Sequence, residues 1–374
     1  MFVAGTRPEV VKLAPVLHEL RRSGRLAARW VSTAQQGALE RATAEELGIV
    51  PDLRLPSMGG ADLSAATARL VAALAQAFRE LAPALVVVQG DTTSAFSAAL
   101  AAFYAGHPVA HVEAGLRSFD AAHPFPEEAH RRMIAALAAI HLAHGPGAAA
   151  QLVAEGIPAD AVLVTGNPGV DAQRRFGAAP VGRGSPDPAA RPGGRTVVVT
   201  LHRRESWDGP LAAMCDALAE LVEDDRSLRV VWPVHVQPRV RAVVEARLSG
   251  RARVELAPPM TYRAFQALLA SADLVLTDSG GIQEEAPEYG VPVLVLRENT
   301  ERPEAVGHGF ARVVGRAPAG IVAAAREALL AGPVRAPRTP NPFGDGRAAE
   351  RIVLAFERFV DGERPLLTKP EQLG

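Results

Sequence analysis

A single cysteine, Cys215, serves the whole 374-residue chain. Its solitude excludes an intrachain disulfide and any cluster of thiolate metal ligands. The surrounding Ala213-Met214-Cys215-Asp216-Ala217-Leu218 reads as a helix face, so core packing is the expected role of the thiol. Aromatic residues make up only 5% of the chain, and no basic stripe interleaved with aromatics appears, so a nucleic-acid partner is not expected. The formal net charge of −1 likewise argues against a polyanion-binding surface. No apolar run approaches the roughly 18 residues that would cross a bilayer, and no charged segment followed by an apolar one opens the chain. No membrane partner is expected, and the expected location is cytoplasmic. P-loop, His-Glu-x-x-His and long internal repeats are all missing.

What is present is a regular alternation. Apolar runs stand at Leu85–Gln89, Val109–Val112, Ile140–Ala143, Val162–Thr165, Thr196–Thr200, Arg229–Pro233, Arg253–Leu256, Leu274–Thr277 and Val291–Leu296. Helical patterns separate them, among them Pro8–Arg22, Leu63–Leu81, Thr93–Tyr104 and Leu211–Glu223. The runs are apolar throughout, which fits strands buried on both faces of parallel sheets. At 374 residues with 48% hydrophobic content, the chain exceeds the usual size of one core. The predicted fold class is therefore α/β, with two doubly wound Rossmann-like domains, residues 1–166 and 167–342, facing each other across a cleft. A Gly-, Pro- and Arg-rich stretch, Phe176–Gly194, is expected to be surface loop. Gly145-Pro146-Gly147 partly fits a dinucleotide fingerprint, but Val162–Thr165 runs into Gly166-Asn167 without the acidic residue such a site needs. His141 and His144 are expected on a strand, in structural roles.

The chemistry-bearing residues fall at the carboxyl ends of predicted strands, where ligands of such folds bind. Thr277-Asp278-Ser279-Gly280-Gly281-Ile282-Gln283-Glu284-Glu285 leaves a strand and enters a helix. Ser279, Gly280 and Gly281 let backbone N–H groups approach a diphosphate at a helix N-terminus, and Glu285 suits ribose hydroxyls. The alternative is a turn that uses Gly-Gly for geometry alone. Gly5-Thr6-Arg7-Pro8-Glu9 leads into a helix that carries Lys12, and Arg7 and Lys12 are both able to reach an anion above it. Asp91, in Gln89-Gly90-Asp91-Thr92-Thr93, is either a helix cap or a catalytic acid. Glu113, in His111-Val112-Glu113-Ala114-Gly115-Leu116-Arg117, ends another strand, and Glu127 opens the helix after Pro124-Phe125-Pro126. Three carboxylates brought together would repel, and burial would raise at least one pKa, which separates acid from base. Otherwise each caps a helix or pairs with Arg117 or Arg131. His202, in Thr200-Leu201-His202-Arg203-Arg204-Glu205, can protonate a leaving phosphate. Arg302 stands on the rim set by Thr300-Glu301-Arg302-Pro303.

Taken in order, GTRPE at 5, GDTT at 90, HVEAGLR at 111, PEE at 126, TGN at 165, HRRES at 202, PVH at 233, DSGGIQEEAP at 278, TERPEA at 300 and NPFGDG at 341 resemble the non-hydrolysing UDP-N-acetylglucosamine 2-epimerases over nearly the whole chain. The resemblance implies a fold like that of B-type nucleotide-sugar glycosyltransferases, with residues 343–374 forming a helix near Gly346–Phe359 that returns to the first domain. It implies a UDP-sugar substrate, a cytoplasmic homodimer, and interconversion of UDP-GlcNAc and UDP-ManNAc without cofactor or metal. Asp91, Glu113, Glu127 and His202 match the catalytic residues of the family. Arg7, Lys12, Arg117, Ser279, Gly280, Gly281, Glu285 and Arg302 are the substrate-binding candidates. Gln35, Arg69, Arg203 and His235 match a site at which many members are activated by substrate. Three departures stand out: a short first strand, Gln35-Gln36-Gly37 where Gln-His-Arg is usual, and Leu201 and Pro168 beside family motifs. Competing readings are a hydrolysing relative that releases ManNAc, an epimerase of a related UDP-sugar, a glycosyltransferase of the same fold, and a silent UDP-sugar sensor.

Overall fold

The computed structural model describes residues 1–56, 62–177, 194–201, 203, 207, 209–234, 237–332 and 341–373. His202 and His235 lie outside the described residues, as does most of the predicted loop at 176–194. The chain divides into two compact units, Met1–Arg175 with Phe343–Gly374, and Phe176–Pro342.

In the first unit the order is β1 (Phe2–Ala4), α1 (Arg7–Ser23), β2 (Trp30–Ser32), α2 (Ala38–Glu46), β3 (Leu53–Arg54), α3 (Leu63–Leu81), β4 (Val86–Gln89), α4 (Thr93–Tyr104), β5 (Val109–Ala114), α5 (Glu127–Leu137), β6 (Ile140–Ala143), α6 (Pro146–Ala154), β7 (Val162–Val164) and α7 (Pro168–Phe176). Among the described residues, these strands form one parallel sheet in the order β3-β2-β1-β4-β5-β6-β7. Every residue of β1, β2, β4, β5 and β6 is buried, the two-sided cover that all-apolar strands require. The helices begin where short polar side chains satisfy their open N–H groups. Asp62 accepts from the Ala65 N–H at 2.9 Å before α3, and Thr92 accepts from the Ala95 N–H at 3.0 Å before α4. Leu70, Leu74, Ala77 and Phe78 then bury one stripe of α3.

The second unit runs β8 (Arg195–Thr200), α8 (Pro210–Asp224), β9 (Leu228–Pro233), α9 (Pro238–Leu248), β10 (Val254–Ala257), α10 (Tyr262–Ser271), β11 (Leu274–Thr277), α11 (Gly280–Glu285), β12 (Val293–Val295), α12 (Pro303–Gly307), β13 (Ala311–Val313) and α13 (Pro318–Ala331). Its described strands pair in parallel as β10-β9-β8-β11-β12-β13. Cys215 is fully buried in α8 beside Met214 and Leu218, and burial pushes its thiol up to about 12. It is a packing residue and an inert one.

After Pro342 the chain belongs to the first unit again, and α14 (Ala348–Val360) packs on α1 through a face that includes Ile352, Val353 and Phe356. Its opening N–H groups are satisfied from a distance: Asp171 of α7 accepts from Ala348 at 3.2 Å and from Ala349 at 2.8 Å. Among the described residues no helix is long and apolar enough to cross a membrane.

Each sheet reverses its winding once, between β1 and β4 in the first unit and between β8 and β11 in the second. Such a reversal opens a crevice at the carboxyl ends of the two strands, because the helices that follow them lie on opposite faces. The motif at Gly5–Glu9 follows β1 and that at Gly90–Thr92 follows β4. The Ser279–Gly281 turn follows β11.

Candidate active site

The turn between β1 and α1 is built around Glu9. Its Oε2 accepts the N–H groups of Gly5 at 2.9 Å and Thr6 at 2.7 Å, the reach-back half of a capping box. Its Oε1 takes the Thr92 hydroxyl at 2.6 Å, tying this turn to the one after β4. Glu9 is completely buried, and burial raises its carboxyl to about 7 even though Thr92, Gly5 and Thr6 all pull the other way. Glu9 is thus a group poised near neutrality. The Thr6-x-x-Glu9 spacing marks Glu9 as a capping residue, but its third partner, Thr92, is 83 residues away. The main-chain N–H of Arg7 donates to Gln36 Oε1 at 2.8 Å, and Arg7 itself is half-buried.

Glu113 stands near the end of β5 at φ 66°, left-handed backbone for a residue with a side chain. The β5–β6 register shifts at this point, between Val112 and Ala114. A bulge of this kind re-aims one side chain, and such strain is characteristic of functional positions. Here the bulge hands Glu113 to Lys12, whose Nζ lies 2.6 Å from Oε1, while the amide of Gln89 donates to Oε2. The two side chains are 12% and 5% exposed, so the pair is shielded from water.

Asp91 does not cap α4; Thr92 does, which frees the Asp91 carboxylate. Its Oδ2 accepts from Arg131 Nε at 2.7 Å. Two histidines hold the adjoining backbone, His111 at the Gly90 carbonyl (2.8 Å) and His130 at the Asp91 carbonyl (2.9 Å). Glu127 begins α5, and among the described residues its buried Oε2 has no partner. Its neighbour Glu128 is pushed up by burial, but the Ser118 N–H, Arg132 and Arg131 outweigh that effect and hold it below the usual range. The structure therefore brings Lys12, Asp91 and Glu113 to the ends of β4 and β5 and the start of α1, and places Glu127 on the helix that carries Arg131. Arg117 is turned elsewhere: its guanidinium forks onto Glu155 at 2.8 and 2.6 Å. Gln35 Oε1 takes both the N–H and the hydroxyl of Ser94, at 3.0 and 2.6 Å, and Arg69 is exposed on α3.

In the second unit, Ser279 precedes α11 without turning its hydroxyl onto the opening N–H groups. The helix is shorter than the sequence suggests. It ends at Glu285 and tightens into a 3₁₀ turn over Ala286–Tyr289, where Pro287 has no N–H to continue an α-helix. Glu285 is consequently a last-turn residue, fixed by Gln266 Nε2 at 2.6 Å, which Tyr289 holds in turn through Gln266 Oε1 at 3.0 Å. Arg302 pairs with Glu284 through Nε, and its guanidinium passes over Gly280, where a Cβ would stand 3.4 Å from Nη2. Thr300 links the same segment to α11 by donating to Gln283 Oε1 at 2.6 Å. Arg203 donates its N–H to Asp278 Oδ2 at 3.0 Å and lies 3.4 Å from Glu301 through Nη2. The unit thus presents a glycine turn whose opening N–H groups the Ser279 side chain leaves uncapped, a guanidinium above it and a carboxylate one helix length away.

Residues 18–357 match the family model described as UDP-N-acetylglucosamine 2-epimerase. The UDP-N-acetylglucosamine 2-epimerase of Yersinia pestis is 39% identical over 369 residues, 96% of this chain and 98% of that protein. The co-structure of S. aureus MnaA with UDP superposes with a TM-score of 0.90 at 36% identity, covering 100% of this chain and 99% of that one. The UDP-GlcNAc 2-epimerase of Neisseria meningitidis, bound to UDP-GlcNAc, gives a TM-score of 0.86 at 34% identity over 94% of this chain and 97% of its own.

Proposed function

Because the chain belongs to the UDP-N-acetylglucosamine 2-epimerase family, we propose that it interconverts UDP-GlcNAc and UDP-ManNAc by eliminating and re-adding UDP. Its substrate's C2–H has no adjacent carbonyl and is scarcely acidic, so direct deprotonation to a carbanion is a poor route. Loss of that proton together with cleavage of the C1–O bond gives 2-acetamidoglucal and UDP. Re-addition of UDP at C1, with a proton delivered to the opposite face of C2, completes the inversion. Atoms and electrons balance without an oxidant, so the cycle needs no redox cofactor.

The observation that carries this reading is the set of Asp91, Glu113 and Glu127 in one unit, two of them each held by a cation, Arg131 and Lys12 respectively. Proton removal and return at C2 need carboxyl groups of this kind. Ser279, Gly280, Gly281, Glu285 and Arg302 are the groups we assign to UDP. Stabilising the departing diphosphate supplies much of the rate enhancement, with His202 as the acid beside it. Arg7 joins Lys12 as a binding cation, and Arg117 is assigned to the site's support through Glu155. A glycosyltransferase would have no evident use for the three carboxylates. The chain is taken to work as a homodimer in the cytoplasm, on its family resemblance. Substrate activation through Gln35, Arg69, Arg203 and His235 is expected to be weak, since Gln35 is already engaged by Ser94.

Incubation with UDP-GlcNAc in deuterated water, followed at C2 by NMR, tests the reading. Deuterium at C2 with UDP-ManNAc formed is expected. Free UDP and ManNAc without UDP-ManNAc would mean a hydrolase, and no exchange at all would overturn the proposal.

A further inference from the structure

We propose that His130 and His111 are positioning residues for Asp91, clamping the Gly90–Asp91 turn by its two successive carbonyls. This rests on the reading of Asp91 as a catalytic carboxylate. His111 comes from β5 and places its Nε2 2.8 Å from the Gly90 oxygen, while His130 comes from α5 and places its Nδ1 2.9 Å from the Asp91 oxygen. A carbonyl only accepts, so each of these nitrogens carries a proton, and the two imidazoles donate through opposite nitrogens.

Each ring is held. His130 is 4% exposed and stacks on Phe96 with centroids 4.8 Å apart and planes 11° from parallel. His111 is 1% exposed, pairs in register with His141 of β6, and burial drives its pKa down to about 3. Burial thus favours its neutral form, and among the described residues its other nitrogen is buried without a partner. A donor kept so at the expense of an unsatisfied atom has a task for which an apolar side chain would not serve.

The turn needs such a clamp. Gly90 has φ 69°, and Asp91 is the residue after it, so a small rotation of either peptide swings the carboxylate. The carboxylate itself is held by Arg131, next along α5 from His130, and Glu127 opens the same helix. One helical turn therefore fixes the main chain of Asp91, the side chain of Asp91, and the origin of Glu127. Displacement of about 1 Å at a reacting group can cost on the order of 100-fold in rate.

The opposite donor nitrogens give a reciprocal test. Asparagine places its amide N–H near the Nδ1 position of histidine, and glutamine places it near Nε2. His130→Asn is expected to recover most of the turnover that His130→Gln and His130→Leu lose, about 10- to 100-fold in kcat with KM little changed. At position 111 the order reverses, His111→Gln retaining what His111→Asn and His111→Leu lose. UDP affinity, measured by calorimetry, stays at its wild-type value throughout, and it separates a positioning defect from unfolding where an apolar variant is unstable. The same order at both positions, or full kcat in all the variants, would overturn the inference. Asp91→Asn is measured alongside: full turnover there removes Asp91 from the mechanism, whereas an inactive Asp91→Asn beside unaffected histidine variants sinks the clamp alone.

Discussion

Lys12 and Glu113, 101 residues apart in sequence, meet at 2.6 Å with 12% and 5% of their side chains exposed. Lys12 is one of two lysines in the chain, the other being Lys369, against 38 arginines. In a chain whose cationic side chains are almost all arginine, this position is lysine. A compact ammonium makes one short contact with Glu113 Oε1 and leaves Oε2 to Gln89. The planar guanidinium of arginine would claim both oxygens.

Lys12→Arg is therefore expected to be a poor substitute, lowering kcat about 10-fold or more although the charge is conserved. Lys12→Met leaves a buried carboxylate without its cation, which costs on the order of 3–5 kcal/mol of stability. Chemical denaturation and steady-state turnover, run on both variants, check the two statements. Wild-type kinetics in Lys12→Arg would mean that only the charge matters.

Glu9 predicts a pH dependence of stability with a definite sign. Its carboxyl titrates near 7 in the folded chain against a usual value of 4.5, because burial disfavours the anion. Between those values the folded state binds more protons than the unfolded one, so stability falls as pH rises through that window. At 1.36 kcal/mol per unit, the loss is roughly 3 kcal/mol by pH 8. Glu9→Gln removes this titration. The stability difference between wild type and Glu9→Gln should shift in favour of the variant from pH 5 to pH 8, and a pH-independent difference would contradict the assignment.

Much of the fold could be read before the structure, and the reason lies in particular residues. Leu63–Leu81 and Thr93–Tyr104 are helices over the predicted spans because Asp62 and Thr92 mark their starts, and Ile140–Ala143 and Leu274–Thr277 are strands because every position in them is apolar or buried. The strands Leu53–Arg54 and Ala311–Val313 are not legible in the sequence, being two and three residues long and carrying no period. Val109–Val112 was legible as a strand, whereas the bulge that carries it on to Ala114 was not. The candidate site was legible as a set of residue types and illegible as a set of partners. Lys12 reaches Glu113, and Glu9 reaches Thr92, only because β1 and β5 both flank β4, an order set by tertiary packing. Arg117 reads equally well as a partner for the nearby acids, and the fold turns it to Glu155.

Arg302 is expected to show the same intolerance in the second unit. Its Nε pairs with Glu284 and its Nη1 donates to the Glu301 carbonyl at 3.2 Å, which sets the guanidinium over Gly280. Lysine can make one of these contacts and not both. Arg302→Lys should weaken UDP binding by about tenfold, some 1.4 kcal/mol, with a smaller change in unfolding midpoint than in affinity. Unaltered UDP affinity by calorimetry would take Arg302 out of the binding turn.

Asp171 makes the C-terminal helix a conditional part of the first unit. Arg347, the residue before α14, supplies no cap, and Asp171 of α7 accepts from the N–H groups of Ala348 and Ala349 instead. Burial raises this carboxyl to about 6, so at neutral pH the anion is retained in spite of its environment. What holds it there is the pair of N–H groups at a helix start, where negative charge is favoured. Asp171→Ala removes both acceptors, and loss of a cap costs about 1–2 kcal/mol. The effect is expected to be local: amides of Ala348–Val360 should exchange with solvent faster by roughly 5- to 30-fold, the equivalent of that free energy, while those of β4 and β5 keep their protection. Equal acceleration across the unit would mean that α14 opens only with global unfolding, and unchanged exchange would mean that Asp171 is dispensable as its cap.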